Sequence, residues 1–267
     1  MIRMNGKPTR VLQITDSHLG RSAGESLLGI NTADTLNDIL AQASSNPRYD
    51  LVLSTGDISN DGTSGSYDRF VQAVKRYFPG IPLAWLEGNH DDPASMRAML
   101  SEQPLTDYLE IGPWRLILLN SRIPFEEGGE LAQRELDRME ALLESAPDAP
   151  TMIFLHHQPI PVGSAWIDQY VVKNARSFFS ITDRFSNIRA ISWGHVHQEF
   201  HMQRNGVDLI ATPSTCLQFK PGNDDFMVDD VMPAYREYVL NEDGSYSTAI
   251  TRVETHTHGV DLASSGY

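Results

Sequence analysis

The 267-residue sequence predicts an α/β fold, a parallel sheet with helices on its faces, finished by antiparallel strands. Three observations carry this. Short apolar runs alternate with helix-period segments as far as Trp193. Nearly every apolar run stops at Asp, Asn or His. After Gly194 the helical pattern gives way to two hairpin signals.

Residues 10–15 (RVLQIT) form the first expected strand and run into Asp16-Ser17-His18. Residues 32–43 keep helical spacing through Leu36, Ile39, Leu40 and Ala43. Residues 50–54 (DLVLS) are the second strand, ended by Thr55-Gly56-Asp57. Residues 66–78 read as an amphipathic helix with Phe70, Val74 and Tyr77 on its stripe. Residues 82–86 (PLAWL) are the third strand, ending in Glu87-Gly88-Asn89-His90-Asp91. A fourth strand is expected over 114–120, a helix over 131–143, and a fifth strand over 151–155, ending in His156-His157. The sixth, over 188–192, ends in Gly194-His195-Val196-His197.

Residues 200–203 and 207–211 flank Asn205-Gly206, a dipeptide suited to a tight hairpin turn. Residues 235–240 and 246–253 flank Glu242-Asp243-Gly244 in the same way. The Pro-, Gly- and Asp-rich stretch 221–233 is expected as a surface loop, and the tail after His256 as loosely ordered. No internal repeat or low-complexity tract is present.

Hydrophobic residues make up 40% and charged residues 21%, as in soluble globular proteins. A net charge of −14 argues against a general nucleic-acid binder. It leaves room for a small anionic substrate, because bound cations can reverse the field inside a cleft. The single cysteine, Cys216, allows no disulfide within the chain and fits a reducing compartment. The first ten residues lack the apolar segment of a secretory signal, and no apolar run approaches the roughly 20 residues of a membrane span. The expectation is a cytoplasmic protein with no membrane or nucleic-acid partner; oligomeric state is not readable.

Asp16, His18, Asp57, Asn89, His90, His156, His195 and His197 all fall at strand ends, where functional sites of open α/β sheets collect. Each alone has an ordinary reading: Asp16, Asp57 and Asn89 suit turns, and a histidine can be a hydrogen-bonded core residue. Turn chemistry gives no reason for such residues at five of six expected strand ends. His195 and His197, two apart, would share a face in extended chain. The donors are oxygen and nitrogen without thiolate, which suits Mn, Fe, Co or Zn at a catalytic centre. With His90 set aside, the remaining seven side chains are too many for one ion. Two ions sharing one carboxylate would each have four protein ligands and keep positions open.

The ordered set Asp-x-His, Gly-Asp, Gly-Asn-His-Asp, His and Gly-His-x-His, over residues 16–197, resembles the calcineurin-like metallophosphoesterase superfamily. Asp91 stands where many members have Glu. The segments 155–159 (LHHQP), 165–169 (AWIDQ), 211–221 (ATPSTCLQFKP) and 263–267 (ASSGY) are similar to bacterial class III cyclic-AMP phosphodiesterases. The resemblance implies a four-layer αββα sandwich of two mixed sheets, as one domain over 1–267, with residues near 198–255 adding antiparallel hairpins to the second sheet. It implies two ions, Fe and/or Mn with Zn or Co as alternatives. Asp16, His18 and His197 would hold one, Asn89, His156 and His195 the other, with Asp57 bridging.

The implied activity is hydrolysis of 3′,5′-cyclic AMP to 5′-AMP, with a hydroxide held between the ions attacking phosphorus in line. His90, Asp57 and Asn89 are the expected catalytic residues, His90 as proton donor to the leaving oxygen. His18, Asp57, Asn89, His90 and His197 are expected to meet the substrate. His157, next to a ligand, would point to the opposite side of a strand and play a supporting or core role. Trp166, Gln169, Asn174 and residues 212–220 are expected to line a nucleotide pocket. Alternatives are another phosphodiesterase of the superfamily, acting on glycerophosphodiesters, 2′,3′-cyclic nucleotides or lipid-sugar nucleotides, and a non-catalytic scaffold. The filled ligand positions oppose the scaffold.

Overall fold

The computed structural model describes residues 7–46, 48–99, 107–254 and 259–266. The first part of the chain contains β1 (Thr9–Ile14), a short ribbon of β2 (Ser26–Leu27) and β3 (Ile30–Asn31), α1 (Thr32–Ser44), β4 (Leu51–Ser54), α2 (Ser64–Tyr77), β5 (Leu83–Trp85) and α3 (Pro93–Met99). The middle contains β6 (Tyr108–Ile111), β7 (Trp114–Leu118), α4 (Gln133–Ser145), β8 (Thr151–Phe154), α5 (Ala165–Asp168), α6 (Ala175–Thr182) and β9 (Ile188–Trp193). The last part contains β10 (Phe200–Arg204), β11 (Val207–Ala211), β12 (Gln218–Phe219), β13 (Val228–Asp229), β14 (Ala234–Leu240) and β15 (Tyr246–Arg252).

Two mixed sheets result. One has the order β15-β14-β1-β4-β5, the other β10-β11-β9-β8-β7-β6. β1, β4 and β5 run parallel, as do β7, β8, β9 and β11. The antiparallel strands β14, β15, β10 and β6 lie toward the edges.

Strand alternation sorts the side chains into layers. Val11, Leu51 and Leu53 from one sheet meet Leu116, Leu118, Met152 and Phe154 from the other in a shared core. The intervening Leu12, Ile14 and Val52 pack on Leu36, Leu40 and Phe70 of α1 and α2. On the far side Ile117, Ile153 and Ile191 pack on Leu136, Met139 and Phe178 of α4 and α6. These three cores define the four-layer αββα sandwich.

One polar seam crosses the central core. Gln13 Oε1 accepts from Ser192, Thr212 and Tyr238 hydroxyls at 3.0, 2.8 and 3.0 Å, and its amide donates to Thr55 Oγ1 at 3.0 Å. A buried amide satisfied from both sheets fixes their relative placement just below the strand ends.

The structure corrects several expectations. The two C-terminal hairpins do not both extend the second sheet. β10–β11 extends the six-stranded sheet, whereas β14–β15 pairs with β1 of the five-stranded one. β14 buries Tyr235 on the helix side and Tyr238 and Leu240 on the inter-sheet side, a pattern that fits beside β1 and not at an open edge. Helix α4 begins at Gln133, because Asn174 takes both backbone groups of Leu131 (3.0 and 2.7 Å). The 221–233 stretch is not all loop, since β13 pairs with β12. Residues 255–258 of the tail lie outside the described residues, but the part beyond them is tied down by Asp261 N–H donating to Leu28 O at 2.8 Å. Among the described residues no helix is long and apolar enough to cross a membrane.

Candidate metal centre

The eight strand-end residues converge from both sheets. Asp16 and His18 follow β1, Asp57 follows β4, and Asn89 and His90 follow β5. His156 follows β8, and His195 and His197 follow β9. Within each sheet neighbouring turns lock together: Asp16 N–H donates to Gly56 O at 3.0 Å, His18 N–H to Asp57 O at 2.9 Å, and Gly194 N–H to His156 O at 3.1 Å. Between the sheets, His195 N–H donates to the Asp16 carboxylate at 3.1 Å.

Asp16, His18, Asp57, His195 and His197 have φ of 54°, 43°, 47°, 62° and 47°. Non-glycine residues rarely occupy this region, and such strain concentrates at functional sites. It turns each side chain off its strand into one shared space. Two glycines are required by close approach. A Cβ on Gly88 would lie 2.1 Å from Asp57 Oδ1, and one on Gly194 would lie 2.1 Å from Thr15 Oγ1 and 2.7 Å from Asp16 Oδ2.

Asp16, His18 and His197 bring donor atoms within 4.8 Å of one another, as do Asp16, Asp57 and His156. His197 Nε2 is 3.4 Å from Asp16 Oδ1 and 3.2 Å from His18 Nε2. Asp57 Oδ2 lies 3.7 Å from His18 Nε2 and 3.2 Å from His156 Nε2, and His156 Nε2 is 3.1 Å from Asn89 Oδ1. All of these but Asn89 are buried, and Asn89 and His90 are half-buried at the rim.

Hydrogen bonds behind the rings set the tautomers. His156 Nδ1–H donates to Thr55 O at 2.8 Å and His197 Nδ1–H to Leu217 O at 2.9 Å. Each therefore turns its Nε2 inward, the nitrogen a ligating histidine held from behind would present to an ion. Among the described residues His195 Nε2 is buried without a hydrogen-bond partner, and an orphaned buried nitrogen grouped with His156 is what a metal ion would satisfy. The donor set and this orphan fit a dinuclear metal centre.

The electrostatics point the same way. Burial alone would raise the Asp57 carboxyl, yet His156, then His90 and His18, hold it well below the carboxylate range. Burial would lower His156, but Asp57 raises it to about 9, so positive charge is favoured between the two. Burial, then the neighbouring His157 and His156, push His195 well down, leaving it neutral.

His157 differs from its expected orientation. β8 ends at Phe154, so alternation no longer applies, and the His157 ring lies 4.8 Å from that of His156 and 4.7 Å from that of His195. Both its nitrogens are used, by Ser121 Oγ at 2.8 Å and Glu127 O at 3.1 Å, so it supports the centre and holds a neighbouring loop. Asp91 is a second supporting residue. Its carboxylate accepts from Gly88 N–H at 2.9 Å, Ser59 N–H at 3.1 Å and Tyr67 OH at 3.1 Å, and so ties the Asn89 loop to the Asp57 loop.

A cavity of about 430 Å³ opens from Asn89, His90 and His195, walled by Arg122, Phe125, Trp166, Tyr170 and Phe226 among others. Of the expected pocket residues only Trp166 lines it. Gln169 bonds Trp166 O at 2.6 Å, and Asn174 is committed to Leu131. Residues 212–220 instead back the metal centre: Ser214 Oγ donates to Asp16 O at 2.8 Å, and Phe219 stacks on His197 at 4.2 Å between ring centroids. Nothing in the sequence separated the Arg122–Phe125 loop from ordinary surface.

A family model for calcineurin-like phosphoesterases matches residues 9–199. A Pseudomonas aeruginosa protein named 3′,5′-cyclic adenosine monophosphate phosphodiesterase CpdA is 39% identical over 259 residues, covering 96% of this chain and 94% of that one. The Vibrio vulnificus protein of the same name is 38% identical over 266 residues, covering 97% and 95%. A dimetal phosphatase from Danio rerio superposes with a TM-score of 0.62 at 16% identity, covering 93% of this chain and all of that one; this likeness concerns the fold.

Proposed function

The chain belongs to the calcineurin-like phosphoesterase family, and from that premise we propose that it is a metal-dependent phosphodiesterase converting 3′,5′-cyclic AMP to 5′-AMP. One observation carries the reading: a single buried carboxylate, Asp57, stands between two donor clusters, 3.7 Å from His18 Nε2 and 3.2 Å from His156 Nε2. We assign Asp16, His18 and His197 to one ion, Asn89, His156 and His195 to the other, and Asp57 to both. Fe or Mn suits this nitrogen and oxygen set, with Zn or Co as alternatives. The substrate is a small molecule, and the names carried by near-full-length relatives support a cyclic nucleotide.

Two ions held there would activate water and neutralise charge growing on the phosphoryl oxygens. The chain's own residues do the rest. His90 sits at the rim where the centre meets the cavity. Its backbone N–H donates to Asp57 Oδ1 at 2.9 Å, and its Nδ1–H to Asn60 O at 3.1 Å. With Nδ1 so committed, the imidazolium carries its transferable proton on Nε2, and this proton goes to the departing 3′ oxygen. Asn89 and His18 orient the phosphoryl group beside it. The cavity walls receive the nucleoside and keep bulk water from it. A compartment with reduced thiols, the cytoplasm, suits the single buried Cys216.

The test is product analysis. Metal-loaded protein is given cyclic nucleotides, a 2′,3′-cyclic nucleotide and a glycerophosphodiester, and products are separated by chromatography. The reading predicts 5′-AMP from 3′,5′-cyclic AMP as the fastest reaction. Turnover of the glycerophosphodiester alone would move the chain to another phosphodiesterase activity.

A further inference from the structure

The cavity beside the metal centre has two unlike walls. One is fixed. Trp166 packs edge-on against Phe219 and Phe226, with ring centroids 4.9 and 5.1 Å apart, and Phe219 is stacked on the candidate ligand His197. The other wall carries Phe125, fully exposed and the most exposed large apolar side chain among the described residues.

The backbone at Phe125 is as unusual as its exposure. Glu126 N–H donates to Ile123 O at 3.2 Å, closing a turn with Pro124 and Phe125 at its centre. Phe125 has φ of 65°. A proline followed by a residue of positive φ is a turn that glycine or asparagine ordinarily completes. A bulky aromatic there is strained, and a fully exposed one gains no burial in return. The turn is nonetheless held in place. Just after Phe125, Glu126 pairs with Lys173, and the Glu127 carbonyl accepts from His157. The anchor is thus a histidine that packs on His156 and His195.

A strained, exposed ring on an anchored turn, facing a cavity that opens on the centre, has the features of a stacking platform. We propose that Phe125 is a specificity-determining residue: its ring stacks on the planar base of the nucleotide whose phosphate lies at the metal centre. The proposal rests on the phosphodiesterase reading and adds how the base of a nucleotide is held. Aromatic stacking serves any base because every base has a π face. It therefore separates nucleotides from base-free sugar phosphates.

The test is competitive inhibition of chromogenic diester hydrolysis by the metal-loaded enzyme, with 5′-AMP and ribose 5-phosphate as probes. The parent should prefer 5′-AMP by roughly tenfold or more, the usual range for one stacked base. Phe125→Ala and Phe125→Leu should remove most of that preference, and Phe125→Tyr should retain it. Phe125→Gly should lose the preference while melting at or above the parent temperature, because glycine relieves the turn. Equal preference in the Leu and Phe forms, or an unchanged ratio in Phe125→Ala, overturns the proposal. If no cyclic nucleotide is hydrolysed, the functional reading fails separately, and the inhibition ratio still decides the stacking role.

Discussion

Replacing Asp91 with alanine should loosen the centre without touching an assigned ligand. Three well-formed bonds end on its carboxylate, from Gly88 N–H at 2.9 Å, Ser59 N–H at 3.1 Å and Tyr67 OH at 3.1 Å. Each buried donor left unpaired costs about 1–3 kcal/mol. Against this, burial and then the Asp57 carboxylate raise Asp91 to about 6, so holding it charged is itself costly. The net loss is therefore placed low in the range, about 2–4 kcal/mol. For a chain of this size that is a fall of roughly 5–15 °C in melting temperature. The bonds also join the segments carrying Asn89 and Asp57, so turnover should fall on the order of 10²-fold through misplacement. The assays are thermal unfolding with and without added Mn²⁺, and steady-state hydrolysis of a chromogenic diester. A variant that melts with the parent and keeps its turnover refutes the reasoning.

Asp57→Ala should lose bound metal and activity together, read by elemental analysis beside the rate assay. Chelation should abolish activity and added Mn²⁺ or Fe²⁺ restore it; activity surviving both treatments contradicts a two-ion centre. His90→Ala should keep its metal but lose about 10²–10⁴-fold in rate on poor leaving groups. The loss should shrink for nitrophenolate esters, and an equal loss for both would assign His90 to phosphate positioning. Gly194→Ala should fold but lose activity, because its Cβ would stand 2.7 Å from Asp16 Oδ2. Full activity in that variant would show that Asp16 tolerates displacement.

The parts of the fold written in local periodicity were readable beforehand. The strands β1, β4, β5, β7, β8 and β9, the helices near Leu36 and Phe70, and the Asn205-Gly206 hairpin all follow from side-chain pattern, whereas β2, β3 and β6 were not expected. The convergence of the candidate ligands was readable because each follows an apolar strand. What was not readable depends on distant partners. Nothing local shows that Asn174 captures Leu131 and delays α4. The crossing of β14 to β1 is likewise decided by which buried edge can take a strand apolar on both faces. The supporting shell followed the same rule. Backbone carbonyls of Thr55 and Leu217 carry no sequence signal, yet they set the tautomers of His156 and His197. Residues 212–220 turn in behind Asp16 and His197 instead of lining the cavity at the cluster, whose walls include the loop around Phe125.

The central claim is attack of water on the phosphorus of a cyclic nucleotide, with the 3′ oxygen leaving beside His90. The most direct measurement is hydrolysis of 3′,5′-cyclic AMP by the metal-loaded protein in ¹⁸O-labelled water, with the product identified by chromatography and mass. The account predicts 5′-AMP carrying one solvent oxygen in its phosphate, with no free phosphate released. Finding 3′-AMP, inorganic phosphate, or the label in a sugar hydroxyl would contradict it.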